Sequence, residues 1–177
     1  MKKITTLPSS PPVPCGLWAV GALVAWFVIT RLLAAASGLT YSLDSFPSST
    51  MHLMSTDLLL DTPAFWRNLW VMHSVPPLYN VQAWCILLWP VEGWATVSES
   101  LSHGLGLLAT LALYGCLLKL GVHRGVAWVA AGVMCLMPAM LLYEFTEGTP
   151  TLLLLAALSC MLYALASYYV TPTRTAL

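Results

Sequence analysis

Residues 16–37 contain a single charge, Arg31, in 22 positions. A helix of that length is long enough to cross a hydrocarbon core, which needs about 20 apolar residues. Three later runs meet the same test, at residues 100–118, 125–143 and 151–170. The whole chain is 59% hydrophobic and only 8% charged, whereas a soluble domain carries about 25% charged residues. These runs predict an all-α integral membrane protein with four spans and exclude a soluble fold. The net charge is zero and the seven Lys and Arg residues are scattered, so no basic footprint for nucleic acid exists.

Around the spans, residues 1–15 carry Lys2 and Lys3 and then a Ser/Pro-rich stretch ending in Pro11, Pro12 and Pro14, a composition that stays extended and is read as a cytoplasmic tail. A cleaved signal peptide is the rival reading, with Ala34–Ala36 as the small-residue site; the long proline-rich lead and Arg31 inside the apolar run oppose it. Residues 16–177 form one membrane domain. Its outer loop, residues 38–98, holds two short helices expected to lie in the headgroup layer. The first starts at Thr62-Pro63, since proline at the first helical position forgoes an N–H that has no partner. It sets Phe65, Trp66, Leu69 and Trp70 on one side and Arg67 and Asn68 on the other, a tryptophan-rich pattern suited to the interface. The second, residues 78–89, reaches only about 18 Å at 1.5 Å per residue and is stopped by Pro90, Glu92 and Gly93. Pro138 is expected to kink the third span.

Charge sets the orientation. If the amino terminus is cytoplasmic and residues 78–89 do not cross, Lys2, Lys3, Lys119, Arg124 and Arg174 all lie inside, as the positive-inside rule asks. The acids Asp44, Asp57, Asp61, Glu92, Glu99, Glu144 and Glu147 then face out together with His52, His73 and His103. Such a surface, with tryptophans at headgroup depth, suits a reaction between a lipid-borne and a water-borne substrate. Sugar transfer from a lipid carrier is one, needing a carboxylate base for the acceptor and a group to neutralise the leaving phosphate.

Each candidate has a structural reading beside the chemical one. Asp61 could cap the helix that follows it, a contribution of about 1 kcal/mol. His73 could be an interfacial histidine satisfied by backbone. Glu144 and Glu147 could form a solvated turn ahead of the last span, for which Gly148 and Pro150 suffice, or one of them could hold acceptor or metal. With His73 they make no i, i+3 or i, i+4 acid/His pattern, so no metal site is read and a divalent cation is not expected. Arg31 either marks a functional site, as buried cations in spans do by default, or snorkels to the headgroups. Gly104, Gly106, Gly115 and Gly132 are read as points of close helix approach. The five cysteines show no C-x-x-C spacing and suggest neither zinc nor an assignable disulfide.

The run from Leu60-Asp61 through Leu69-Trp70-Val71-Met72-His73-Ser74-Val75-Pro76-Pro77-Leu78-Tyr79-Asn80 resembles the "D…LW-x-x-HS-x-PPL-(F/Y)-N" segment of GT-C fold integral membrane glycosyltransferases. These include the dolichyl-phosphate-mannose protein mannosyltransferases and the bacterial aminoarabinose lipid A transferases. The likeness extends over most of residues 55–170, through Lys119–Arg124, Met137-Pro138 and Tyr143-Glu144. It implies a polyprenyl-phosphate sugar as donor, with Asp61 as catalytic base and Asp57, one turn earlier, as second choice; Asp44 matches nothing. It further implies substrate contacts from His73, Tyr79, Asn80, Glu144 and Glu147. Members of the family carry more spans and usually a carboxy-terminal domain. The resemblance therefore leads to the expectation of a truncated or split enzyme completed by a second membrane subunit, or an inactive remnant. A non-enzymatic scaffold or assembly subunit that keeps the core is the alternative. A transporter is disfavoured, since the spans have few polar residues at mid-depth and no inverted repeat.

Overall fold

A computed structural model describes residues 15–41, 62–71, 77–145 and 150–170. Every regular element among them is helical: α1 Cys15–Ala36, α2 Thr62–Val71, α3 Pro77–Leu87, a 3₁₀ turn Val91–Gly93, α4 Trp94–Lys119, α5 Arg124–Leu136, α6 Pro138–Phe145 and α7 Pro150–Val170. Three helices, α1, α4 and α7, are long and apolar enough to cross a membrane, and the count rises to four if α5 and α6 make one broken span. This is consistent with a multi-pass membrane protein.

Helix ends follow from local chemistry. Gly38 has φ +97° and Gly121 φ +80°, the left-handed conformation that closes a helix without a Cβ clash. At α1 the Gly38 N–H donates to Ala35 O and the Leu39 N–H to Ala34 O, and at α4 the Gly121 and Val122 N–H groups donate to Leu118 and Leu117 O. Both are Schellman closures, which satisfy carbonyls that the ending helix would orphan. His123 then caps α5, its Nδ1 accepting from the Gly125 N–H at 3.2 Å.

The expected third span, residues 125–143, is two helices rather than one kinked helix. Met137 is extended, at φ −60° and ψ 126°, and α5 and α6 bend by 53°. A residue before proline is pushed out of the helical region, and Pro138 has no N–H to carry the ladder across. The second span also begins earlier than expected. α4 starts at Trp94, so residues 94–98 belong to a helix and not to the loop. The Val91–Gly93 turn leads straight into it, and Trp94 Nε1 donates to Trp89 O at 2.8 Å.

Two apolar clusters mark the ends of the bundle. At one, Leu23, Tyr114, Ala127 and Ala131 pack beneath Leu117 and Val122; at the other, Ala109, Met140, Leu152 and Ala156 pack beneath Leu105 and Tyr143. α1 and α5 run parallel, stitched by indole donors: Trp128 Nε1 to Ala19 O at 3.2 Å and Trp26 Nε1 to Gly132 O at 3.1 Å. α4 and α7 meet where Gly115 lets Tyr163 in, since a Cβ there would sit 2.9 Å from its ring.

α2 begins at Thr62, as its Thr-Pro start predicts. Its Phe65 is fully buried and stacks on Trp84 of α3 at 4.8 Å between centroids, and Trp66 meets both rings edge-on while staying half exposed. α3 spans 11 residues, about 16 Å, too short to cross. It buries Tyr79, Asn80, Gln82, Ala83 and Ile86.

Candidate functional site

Arg31 sits five residues before the end of α1 and is 6% exposed. The alternative of snorkelling to the headgroups is therefore excluded for this residue. Its guanidinium is held instead by partners from three elements. Nε donates to Glu144 Oε2 at 2.7 Å and Nη2 donates to Glu144 Oε1, a two-pronged pair with a carboxylate that is itself fully buried. Nη1 donates to Thr30 Oγ1 at 2.8 Å and to Cys135 O at 3.0 Å. The guanidinium carbon lies 3.7 Å from the centroid of the Phe27 ring, within cation–π range.

The contact with Cys135 has a backbone cause. Because α5 stops at Leu136, its last carbonyls lose their partners in the next turn. Arg31 supplies one replacement donor there, and through Glu144 it also grips α6 on the far side of the break. One side chain thus spans both halves of the broken element.

On α4, His103 Nδ1 is 3.2 Å from Glu144 Oε2 and its Nε2 is 3.8 Å from Glu99 Oε1. The His103 ring meets Phe145 edge-on at 5.2 Å between centroids. Gly106, one turn along from Ser102, has no Cβ where the Glu144 carboxylate lies, and any Cβ there would overlap it. The close approach expected of this glycine is thus to a side chain from α6. Gly104 faces open space and serves no such purpose. Arg31, Glu144, His103 and Glu99 form a chain from the core to the surface, with side-chain exposures rising from 0% at Glu144 to 27% at His103 and 42% at Glu99. Beside it a groove of about 280 Å³ runs between α1 and α4, lined by Val28, Leu32 and Ala35 as well as Arg31, His103 and Glu99.

Of the residues singled out in the sequence, Arg31 and Glu144 are brought together in this cluster. It is buried on α6, so the solvated-turn reading does not hold for it. Tyr79 and Asn80 lie on α3, 2% and 0% exposed. Asp57, Asp61, His73 and Glu147 lie outside the described residues. Among the described residues no group of three or more His, Cys, Asp or Glu is arranged to hold a metal ion.

Sequence reasoning missed the partner of Arg31 and the pairing of Glu99 with His103. The second was available, since an acid and a histidine four apart on a helix face the same way. The first had a signal too: a cation inside an apolar span needs an anion at matching depth, and Glu144 stands one residue past the end of the 125–143 run. Comparison with protein-family models, with curated proteins and with solved structures finds no match.

Proposed function

We propose that the protein transfers a sugar from a polyprenyl-phosphate carrier to an extracytoplasmic acceptor. In this reading α5 and α6 together make a fourth span, the amino terminus is cytoplasmic, and α2 and α3 lie at the outer surface. The observation that carries it is the Leu69–Asn80 segment with Asp61 ahead of it. The distribution of charge supports the orientation: Lys119 and Arg124 stand at one end of the bundle, and Glu92, Glu99 and Glu144 belong to elements at the other.

Asp61 directly precedes α2 in the chain and is assigned as the base. It takes the proton of the acceptor hydroxyl, the oxygen attacks the anomeric carbon, and the bond to the carrier phosphate breaks as the phosphate leaves with its electron pair. His73 is assigned to donate a hydrogen bond to that phosphate. Glu144 has both oxygens engaged by Arg31, so its part is to position α6 rather than to accept a proton. Tyr79 and Asn80, being buried, set the seat of α3 against the bundle.

Asp61→Asn is expected to lower transfer from a short-chain polyprenyl-phosphate sugar by about a hundredfold, the lower scale of a lost general base, with membrane insertion unchanged. Unchanged transfer would remove Asp61 from the chemistry. The second reading, a non-enzymatic scaffold, draws on the burial of Tyr79 and Asn80, which suits packing as well as binding; it predicts no transfer by either form.

A further inference from the structure

The groove between α1 and α4 combines features that the transfer reading does not use. Its floor is a buried cation, its mouth carries a carboxylate and an imidazole, and its remaining walls are apolar, aliphatic from Val28, Leu32 and Ala35 and aromatic from Phe27 and Phe145. Arg31 has five N–H donors, of which four are engaged by Glu144, Thr30 and Cys135. The fifth, on Nη2, has no partner among the described residues. At the mouth, His103 Nε2 and Glu99 Oε1 stand 3.8 Å apart, beyond hydrogen-bond length, so each keeps capacity for another group.

We propose that this groove binds a zwitterionic glycerophospholipid with a primary ammonium headgroup, its ammonium on Glu99, its phosphate on His103 and Arg31, and an acyl chain along Val28 and Leu32. Glu99 lies one turn nearer the start of α4 than His103, and the side-chain atoms that would meet the headgroup are 3.8 Å apart. The two-carbon link between phosphate and ammonium covers that order of distance. The depth order is also correct, with the ammonium toward the helix end and the phosphate further in. Both ring nitrogens of His103 then face anions, Nδ1 the Glu144 carboxylate at 3.2 Å and Nε2 the phosphate. Each formal charge in the occupied site has an opposite neighbour, Arg31 between Glu144 and the phosphate and the ammonium on Glu99.

A purely anionic lipid would leave Glu99 facing a like charge. A choline headgroup has no N–H to give that carboxylate. The site needs the bilayer placement of the helices but not the transferase activity, so Asp61→Asn leaves it unaffected whichever way the transfer assay falls.

The test is native mass spectrometry of the full chain in detergent, titrated with equimolar phosphatidylethanolamine and phosphatidylcholine of matched chains, and separately with phosphatidylglycerol. The wild type is expected to retain phosphatidylethanolamine about tenfold over phosphatidylcholine, the scale of one charge-assisted hydrogen bond. Glu99→Gln should erase that preference while leaving phosphatidylcholine retention as it was, which also serves as the check on folding. Leu32→Trp, at a position that is 64% exposed, fills the groove from its rim and should abolish retention of both lipids. Equal retention of the two lipids by the wild type overturns the proposal. So does phosphatidylglycerol held as well as phosphatidylethanolamine, a preference that survives Glu99→Gln, or retention unchanged in Leu32→Trp.

Discussion

Replacing Glu144 by leucine is expected to destabilise the bundle by about 3–5 kcal/mol, because it strands the Arg31 guanidinium without a counter-charge at a site that is 6% exposed. Arg31→Met should cost a similar amount, leaving the Glu144 carboxylate buried with only His103 beside it. The double replacement should recover most of the loss, since two apolar side chains of similar volume need no desolvation to sit there. Thermal and denaturant unfolding of all four forms in the same bicelles gives the cycle. A double variant as unstable as the sum of the single ones would mean that the two residues act separately. It would then follow that the pair does not link α1 to α6.

The second large effect lies in the α2–α3 pair. Phe65 is fully buried, stacked on Trp84 and met edge-on by Trp66, so Phe65→Ala removes one ring of a three-ring cluster and opens a cavity. The expected loss is about 3 kcal/mol. It should be local: limited proteolysis ought to cut near α2 first, with α4 and α7 still protected. Cleavage that begins in α4 would show that α2 supports the whole bundle instead of resting on it.

These two sites also show where sequence reasoning reaches and where it stops. Span lengths are local properties, so α1 and α7 lie within a residue or so of their expected limits. The start of α2 at Thr62 has the same origin in a Thr-Pro pair, and the stop at Pro138 in a missing N–H. The early start of α4 escaped because residues 94–98 read as loop, whereas Ser98 is fully buried and Tyr41 hydrogen-bonds to its hydroxyl. Arg31 and Glu144 are 113 residues apart. Neither periodicity nor capping joins positions so distant; what joins them is the bend at Met137-Pro138, which turns α6 until its Glu144 meets α1. The motif helices were likewise legible as short and tryptophan-rich, but the stacking of Phe65 on Trp84 is a tertiary fact.

The account rests on one end of the bundle, bearing α2, α3, Glu99 and Glu144, lying outside the cell while the Lys119–Arg124 turn lies within it. Compartment-sensitive reporters fused at the Val91–Gly93 turn and at Gly121 test this in the cell. An exterior signal is expected from the first and a cytosolic signal from the second. The opposite pair of signals would place the acidic end in the cytosol and contradict it.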